Sequence, residues 1–286
     1  MAPDERALTV PLHRVVPEED MVEAPVCVGG RGPFAFIIDT GSSGTLFTTH
    51  LAGRLGLAPS GPSLHFGGAG CVGETRPIRM PALSVGGHLR AGGGAFTIHA
   101  TGFGGPGQPQ GVLGVDTLSE LGPLLLDYRR LTLSIAPPAM DEDDLPPAWL
   151  KHEPQVRAPL ALINRGGGVT LRVIVGLGER SPQAWLPDTG SFFSLIDAEN
   201  AKNLRLRRVP GDVTQPSSCS NKMLHSHRVW SGNWRLADRS LRPQALQVTA
   251  VQGTVGVEGV VGAKTMAEYG SVIFDWGARQ LLLGID

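Results

Sequence analysis

Cysteine, tyrosine and charge are all scarce in this chain. Three cysteines (Cys27, Cys71 and Cys219) among 286 residues cannot build a disulfide framework, so stability has to come from a packed core. Charged residues are only 18% of the sequence, the formal net charge is −1, and no basic run occurs. That balance counts against nucleic acid or an anionic membrane as the main partner. No apolar stretch approaches membrane-spanning length. The start, Met1-Ala2-Pro3-Asp4-Glu5-Arg6, lacks the basic-then-apolar pattern of a secretory leader. As numbered, the chain is expected in the cytoplasm; a leader already removed would place it in the periplasm or outside the cell.

Glycine (39) and proline (23) are plentiful, which suits an all-β protein rich in turns. The length is enough for two domains of ordinary size. The clearest boundary joins Pro137, Pro138, Pro146 and Pro147 to the acidic run Asp141-Glu142-Asp143-Asp144, residues that resist sheets and burial. We therefore divide the chain into lobe one at 1–136, a linker at 137–154 and lobe two at 155–286. Val22, Ala24, Val26 and Val28 alternate with Glu23, Pro25 and Cys27, the period of a half-buried strand, and Pro25 points to a sheet edge. Short helices are predicted over Thr117–Leu121, capped by Asp116 and stopped by Gly122-Pro123, over Lys264–Tyr269, and from Asp197 through Leu204.

The most informative feature is a repeat. Asp39-Thr40-Gly41-Ser42 recurs as Asp188-Thr189-Gly190-Ser191, each after an apolar run. Val112-Leu113-Gly114 and Val260-Val261-Gly262 stand at almost equal distances downstream, and Asp127 and Asp275 follow those glycines at equal spacing. Those last two aspartates are expected to cap strands. A long-period repeat of two units predicts a pseudo-symmetric pair of lobes.

These residues resemble the aspartic peptidases, over nearly the whole chain. Both lobes lie in one chain, as in pepsin-like members, while the short, simple lobes resemble two fused retropepsin subunits. The resemblance implies two all-β lobes of the closed or partly open barrel type, with few short helices, and an endopeptidase that holds an extended polypeptide between them. Asp39 and Asp188 would share one proton and activate a water, since two adjacent carboxylates cannot both ionise comfortably. Gly41 and Gly190 let the loops approach and aim N–H groups at carboxylate oxygens. Thr40 and Thr189, by resemblance, bond across the lobe boundary. Ser42 and Ser191 are expected to donate hydroxyl hydrogen bonds to the carboxylates. A flap is expected between Leu64 and Ile78, with Gly67, Gly68, Ala69 and Gly70 at its tip.

No metal and no cofactor is expected, the partner is a polypeptide substrate, and a monomer suffices because one chain carries both half-sites. The chain departs from the pepsin pattern in its flap, which lacks tyrosine: Tyr128 and Tyr269 lie elsewhere. Pro187 stands directly before Asp188 and is expected to alter that loop, and Phe192-Phe193 replaces Ser43-Gly44 of lobe one. Hence the alternative of a peptide-binding module with weak or no turnover. A glycosidase would explain the acids but not the Thr-Gly repeats. His225, His227 and Cys219 match no strong zinc spacing. Gly102–Gly107 spells a dinucleotide-binding string, but Pro106 and the lack of a following helix mark a loop. Trp230 and Trp234 are expected to pack.

Overall fold

The alternation at residues 22–28 becomes a strand, Val22–Val28, buried at every second position. In the computed structural model, which describes residues 8–68, 71–99, 103–105, 107–137, 145–165, 168–179, 181–216, 223–251 and 256–285, this strand is not at an edge. It lies between Arg31–Ile38 and Leu83–Val85. Pro25 is tolerated there for a local reason. Opposite it, the Ala35 carbonyl is turned away to accept from Gln110 N–H, so Pro25 owes that neighbour no hydrogen bond. On its other side His13–Arg14 has ended at Glu23, and Leu83–Val85 begins only at Val26. The missing N–H falls in that gap.

The fold is all-β, with two similar lobes and few short helices. The lobe-one sheet runs Leu64–Gly68, Cys71–Met80, Gly93–Ile98, Leu46–Thr48, Gly111–Leu113, Arg31–Ile38, Val22–Val28, Leu83–Val85, His88–Arg90. The lobe-two sheet runs Arg208–Pro216, Met223–Trp230, Ala245–Thr249, Leu195–Asp197, Gly259–Gly262, Gln183–Asp188, Gly168–Leu177, Trp234–Leu236, Arg239–Leu241. Position for position the two orders match, so the sequence repeat is a repeat of topology.

A third, six-stranded antiparallel sheet joins the halves. Its order is Leu8–Pro11, Thr132–Ile135, Leu124–Asp127, Ser271–Asp275, Gln280–Leu283, Val156–Pro159. The middle pair, Leu124–Asp127 against Ser271–Asp275, takes one strand from each half. One face of this sheet joins a core continuous through both halves, including Leu124, Leu126, Val272 and Phe274. The other face is covered by Leu145 and Trp149, packed with Ala136, Ile273 and Leu282. Trp149 lies in a 3₁₀ turn, Pro147–Trp149, so this part of the segment read as linker is core-forming; residues 138–144, with the four acids, lie outside the described residues.

The helices shift slightly from their expected bounds. Asp197 caps Ala198–Asn203, accepting from Glu199 N–H at 2.9 Å. The helix at Asp116 is Val115–Leu121, with Gly114 at the cap position. Asp116 sits inside the first turn, where its Oδ1 accepts from Thr117 N–H (2.7 Å) and the Thr45 hydroxyl (2.8 Å). Its lobe-two counterpart is Ala263–Ala267, also after a glycine. Asp127 and Asp275 end their strands and cap the turns that follow: Asp127 Oδ1 accepts from Arg129 and Arg130 N–H, and Asp275 Oδ1 from Ala278 N–H.

Candidate active site

Two strands deliver the repeated motif to the seam. Arg31–Ile38 runs directly into Asp39, and Gln183–Asp188 ends on Asp188. Each lies parallel to the strand carrying the downstream repeat: Ile38 is opposite Leu113, and Asp188 opposite Gly262. The glycines of that repeat, noted only as markers in the sequence, have a steric function. A Cβ at Gly114 would strike the Gly44 backbone, and one at Gly262 the Phe193 backbone. Each motif loop folds back over its glycine, held by Val115 N–H to Ser42 O (2.8 Å) and Ala263 N–H to Ser191 O (2.7 Å).

The loops interlock reciprocally. The Thr40 hydroxyl donates to Pro187 O (2.8 Å) and accepts from Thr189 N–H (3.1 Å). The Thr189 hydroxyl donates to Ile38 O (2.6 Å) and accepts from Thr40 N–H (3.1 Å). Both threonines are buried. The two carbonyl acceptors, at Ile38 and Pro187, escaped sequence reasoning, because any residue type supplies a carbonyl. Gly41 faces Asp188 and Gly190 faces Asp39 so closely that a Cβ on either would fall onto the opposite carboxyl group.

Asp39 and Asp188 are thereby brought into hydrogen-bonding contact, half-buried. Asp39 Oδ1 accepts from the N–H groups of Gly41 and Ser42, both at 2.9 Å, and Asp188 Oδ1 from Gly190 N–H at 2.8 Å. The seryl hydroxyls do not reach the carboxylates as expected. They turn back to carbonyls two residues on, Ser42 to Gly44 O (2.7 Å) and Ser191 to Phe193 O (2.9 Å). Backbone N–H groups hold the carboxylates, and the hydroxyls hold the loops.

Burial pushes the Asp39 carboxyl up, opposed by its bond with Asp188 and by the Ser42 and Gly41 N–H groups. Burial pushes Asp188 well above the usual carboxylate range, the Asp39 charge and the shared hydrogen bond act in the same direction, and the Gly190 and Ser191 N–H groups oppose them. Both carboxyls are thus raised, as expected of two adjacent acids that share one proton.

Pro187 keeps the carbonyl bond of its position, its oxygen accepting from the Thr40 hydroxyl as Ile38 O accepts from that of Thr189. Its N–H side faces Gly168–Leu177, but that pairing ends at Val173 opposite Trp185, so no ladder bond is lost. Leu64–Gly68 and Cys71–Met80 form the expected hairpin, with Gly68 opposite Cys71; Gly67 and Gly68 end the first strand, and Ala69 and Gly70 lie outside the described residues. Arg208–Pro216 and Met223–Trp230 form the corresponding hairpin of lobe two. There His225 contacts the Thr214 hydroxyl, while Cys219 lies outside the described residues. Trp234 is buried against Trp185, whereas Trp230 is exposed.

A family model described as "Aspartyl protease" matches residues 24–117 and again 172–265, one match in each lobe. No curated protein matches the chain. Among solved structures, the crystal structure of basic 7S globulin from soybean is similar over 98% of this chain and 95% of that one, with 11% sequence identity and a TM-score of 0.48.

Proposed function

The chain belongs to the aspartyl protease family, and from that premise we propose that it is an endopeptidase acting on an extended polypeptide bound between the lobes. The observation that supports turnover is the pairing of the two carboxyl groups, each held by backbone N–H groups of its own loop and each set against the glycine of the other. Ionised Asp39 takes a proton from a water held between the two groups, and that oxygen attacks the scissile carbonyl carbon. Protonated Asp188 gives its proton to the carbonyl oxygen, forming a tetrahedral diol. As the C–N bond breaks, Asp39 passes its proton to the leaving nitrogen and Asp188 recovers one from the diol, restoring the starting state. The threonine interlock and the N–H donors keep the carboxylates positioned for both steps. The similar lobes and their corresponding hairpins support a retropepsin-like subtype working as a monomer, with the Leu64–Met80 hairpin as its flap.

The test is digestion of a denatured protein below neutral pH. Wild type is expected to cut, and Asp39→Asn or Asp188→Asn to lower the rate by about 1,000-fold or more. If wild type and both variants bind peptide alike and none cuts, the chain is a binding module and the catalytic reading fails.

A further inference from the structure

The two half-sites match in backbone but differ in the side chains beside the dyad, and the difference points to substrate preference. Lobe one carries Ser43 and Gly44 after its motif, with Asp116 in the following helix. Lobe two carries Phe192 and Phe193, with Lys264 at the position of Asp116. Asp116 is accounted for by its bonds to Thr45 and Thr117. Lys264 can accept neither bond, and among the described residues its ammonium forms no ion pair. It lies instead 5.9 Å from the centroids of both phenylalanine rings. Its backbone N–H also bonds Phe192 O (3.1 Å), which ties it to the loop that presents Asp188. Phe192 and Phe193 are half-buried and Lys264 is exposed.

A lysine at this position forgoes the helix-start bonds that Asp116 makes and, among the described residues, pairs with no anion, so its charge is met by the aromatic pair rather than by a carboxylate. Resting on the rings restricts the ammonium and leaves its outer side free to meet an anion. We propose that Lys264, supported by Phe192 and Phe193, selects a carboxylate side chain (Asp or Glu) of the bound polypeptide on the lobe-two side of the cut bond. Lobe one has no cation at the matching position, so the preference is one-sided. This rests on the peptidase reading for its setting, but binding alone can test it.

The probe is a ten-residue peptide in which one Glu, Gln or Lys is walked through every position. Its binding to the Asp39→Asn protein is followed by fluorescence anisotropy, and its cleavage by wild type by mass spectrometry. At one position Glu is expected to be favoured over Gln by about three- to tenfold, with the preference shrinking as salt rises. Lys264→Ala should bring that ratio to near one, and Lys264→Glu should favour Lys instead. A purely structural lysine would weaken all peptides equally. Glu preference that depends on Lys264 in binding, without cleavage, would uphold this proposal and refute the peptidase reading. Cleavage or binding with no acidic preference, or with a preference that survives Lys264→Ala, would overturn it. So would failure of the Asp39→Asn protein to bind any member of the series.

Discussion

At the scale of single residues, the site depends on what is missing from Gly41 and Gly190. Gly41→Ala places a methyl group on the Asp188 carboxyl, so kcat/KM is expected to fall by about 100-fold or more. Gly53→Ala is the control: this glycine lies within the helix Thr49–Leu55 with open space around its Cβ position, and the change should stabilise the fold by about 0.5–1 kcal/mol in urea unfolding. Proton binding makes a second prediction. Because burial raises the dyad carboxyls, the folded chain holds more protons than the unfolded one at pH values between the ordinary and the raised pKa. Stability is therefore unpenalised below the ordinary carboxylate range and falls as pH rises through the raised value. Asp188→Asn should leave the thermal midpoint nearly unchanged near pH 3 and raise it near pH 7, each unit of pKa elevation being worth about 1.4 kcal/mol. A variant midpoint below wild type near pH 7 would contradict a raised Asp188 carboxyl. The residues Asp39, Thr40, Gly41 and their repeat were legible because each is needed for its side chain or for lacking one. Ser42 and Ser191 were misread because a hydroxyl has many acceptors in reach, and sequence does not rank a nearby carbonyl below a carboxylate.

At the scale of strands and loops, irregular residues were legible as irregular but not in their effect. Pro25 and Pro187 both break the usual preference for a free N–H in a sheet, yet each sits where no partner strand needs that donor. Sequence pattern locates a strand but not where its neighbours stop. Pro187→Ile, which restores the residue type found before Asp39, should accordingly cost about 1–3 kcal/mol, because it adds a buried N–H without a ladder acceptor and loosens the unfolded chain. Equilibrium unfolding measures this; a gain in stability would mean that an acceptor lies within reach. The phenylalanine asymmetry has a packing component too. In lobe one the Phe96 ring lies beside Gly44, whose Cβ would meet it at 3.1 Å. At the matching register lobe two places Gln247 on the strand and Phe193 on the loop. A single sequence shows both residues but not that they fall at matching register.

At the scale of the whole molecule, the repeat predicted two lobes but not the sheet that fuses them. Leu124-Leu125-Leu126 and Val272-Ile273-Phe274 are apolar at consecutive positions, so no alternation marks their faces and nothing local names a partner. In the structure they pair with each other, with Leu124 opposite Phe274 and Asp127 opposite Ser271. Trp276 Nε1–H adds a bond to Gly122 O, and the threonine interlock closes the same seam. A lobe cut free of its partner would expose an apolar strand edge together with the buried donors and acceptors of Thr40, both of which call for a partner. The pseudo-twofold relation supplies one, since Leu124–Asp127 can pair antiparallel with its own copy and bring two Asp39 loops together. Residues 1–136 expressed alone should thus elute from size exclusion as a dimer or larger species, with the equilibrium shifting on dilution. A folded monomer that keeps a cooperative unfolding transition at every concentration would show that lobe one is complete without the shared sheet.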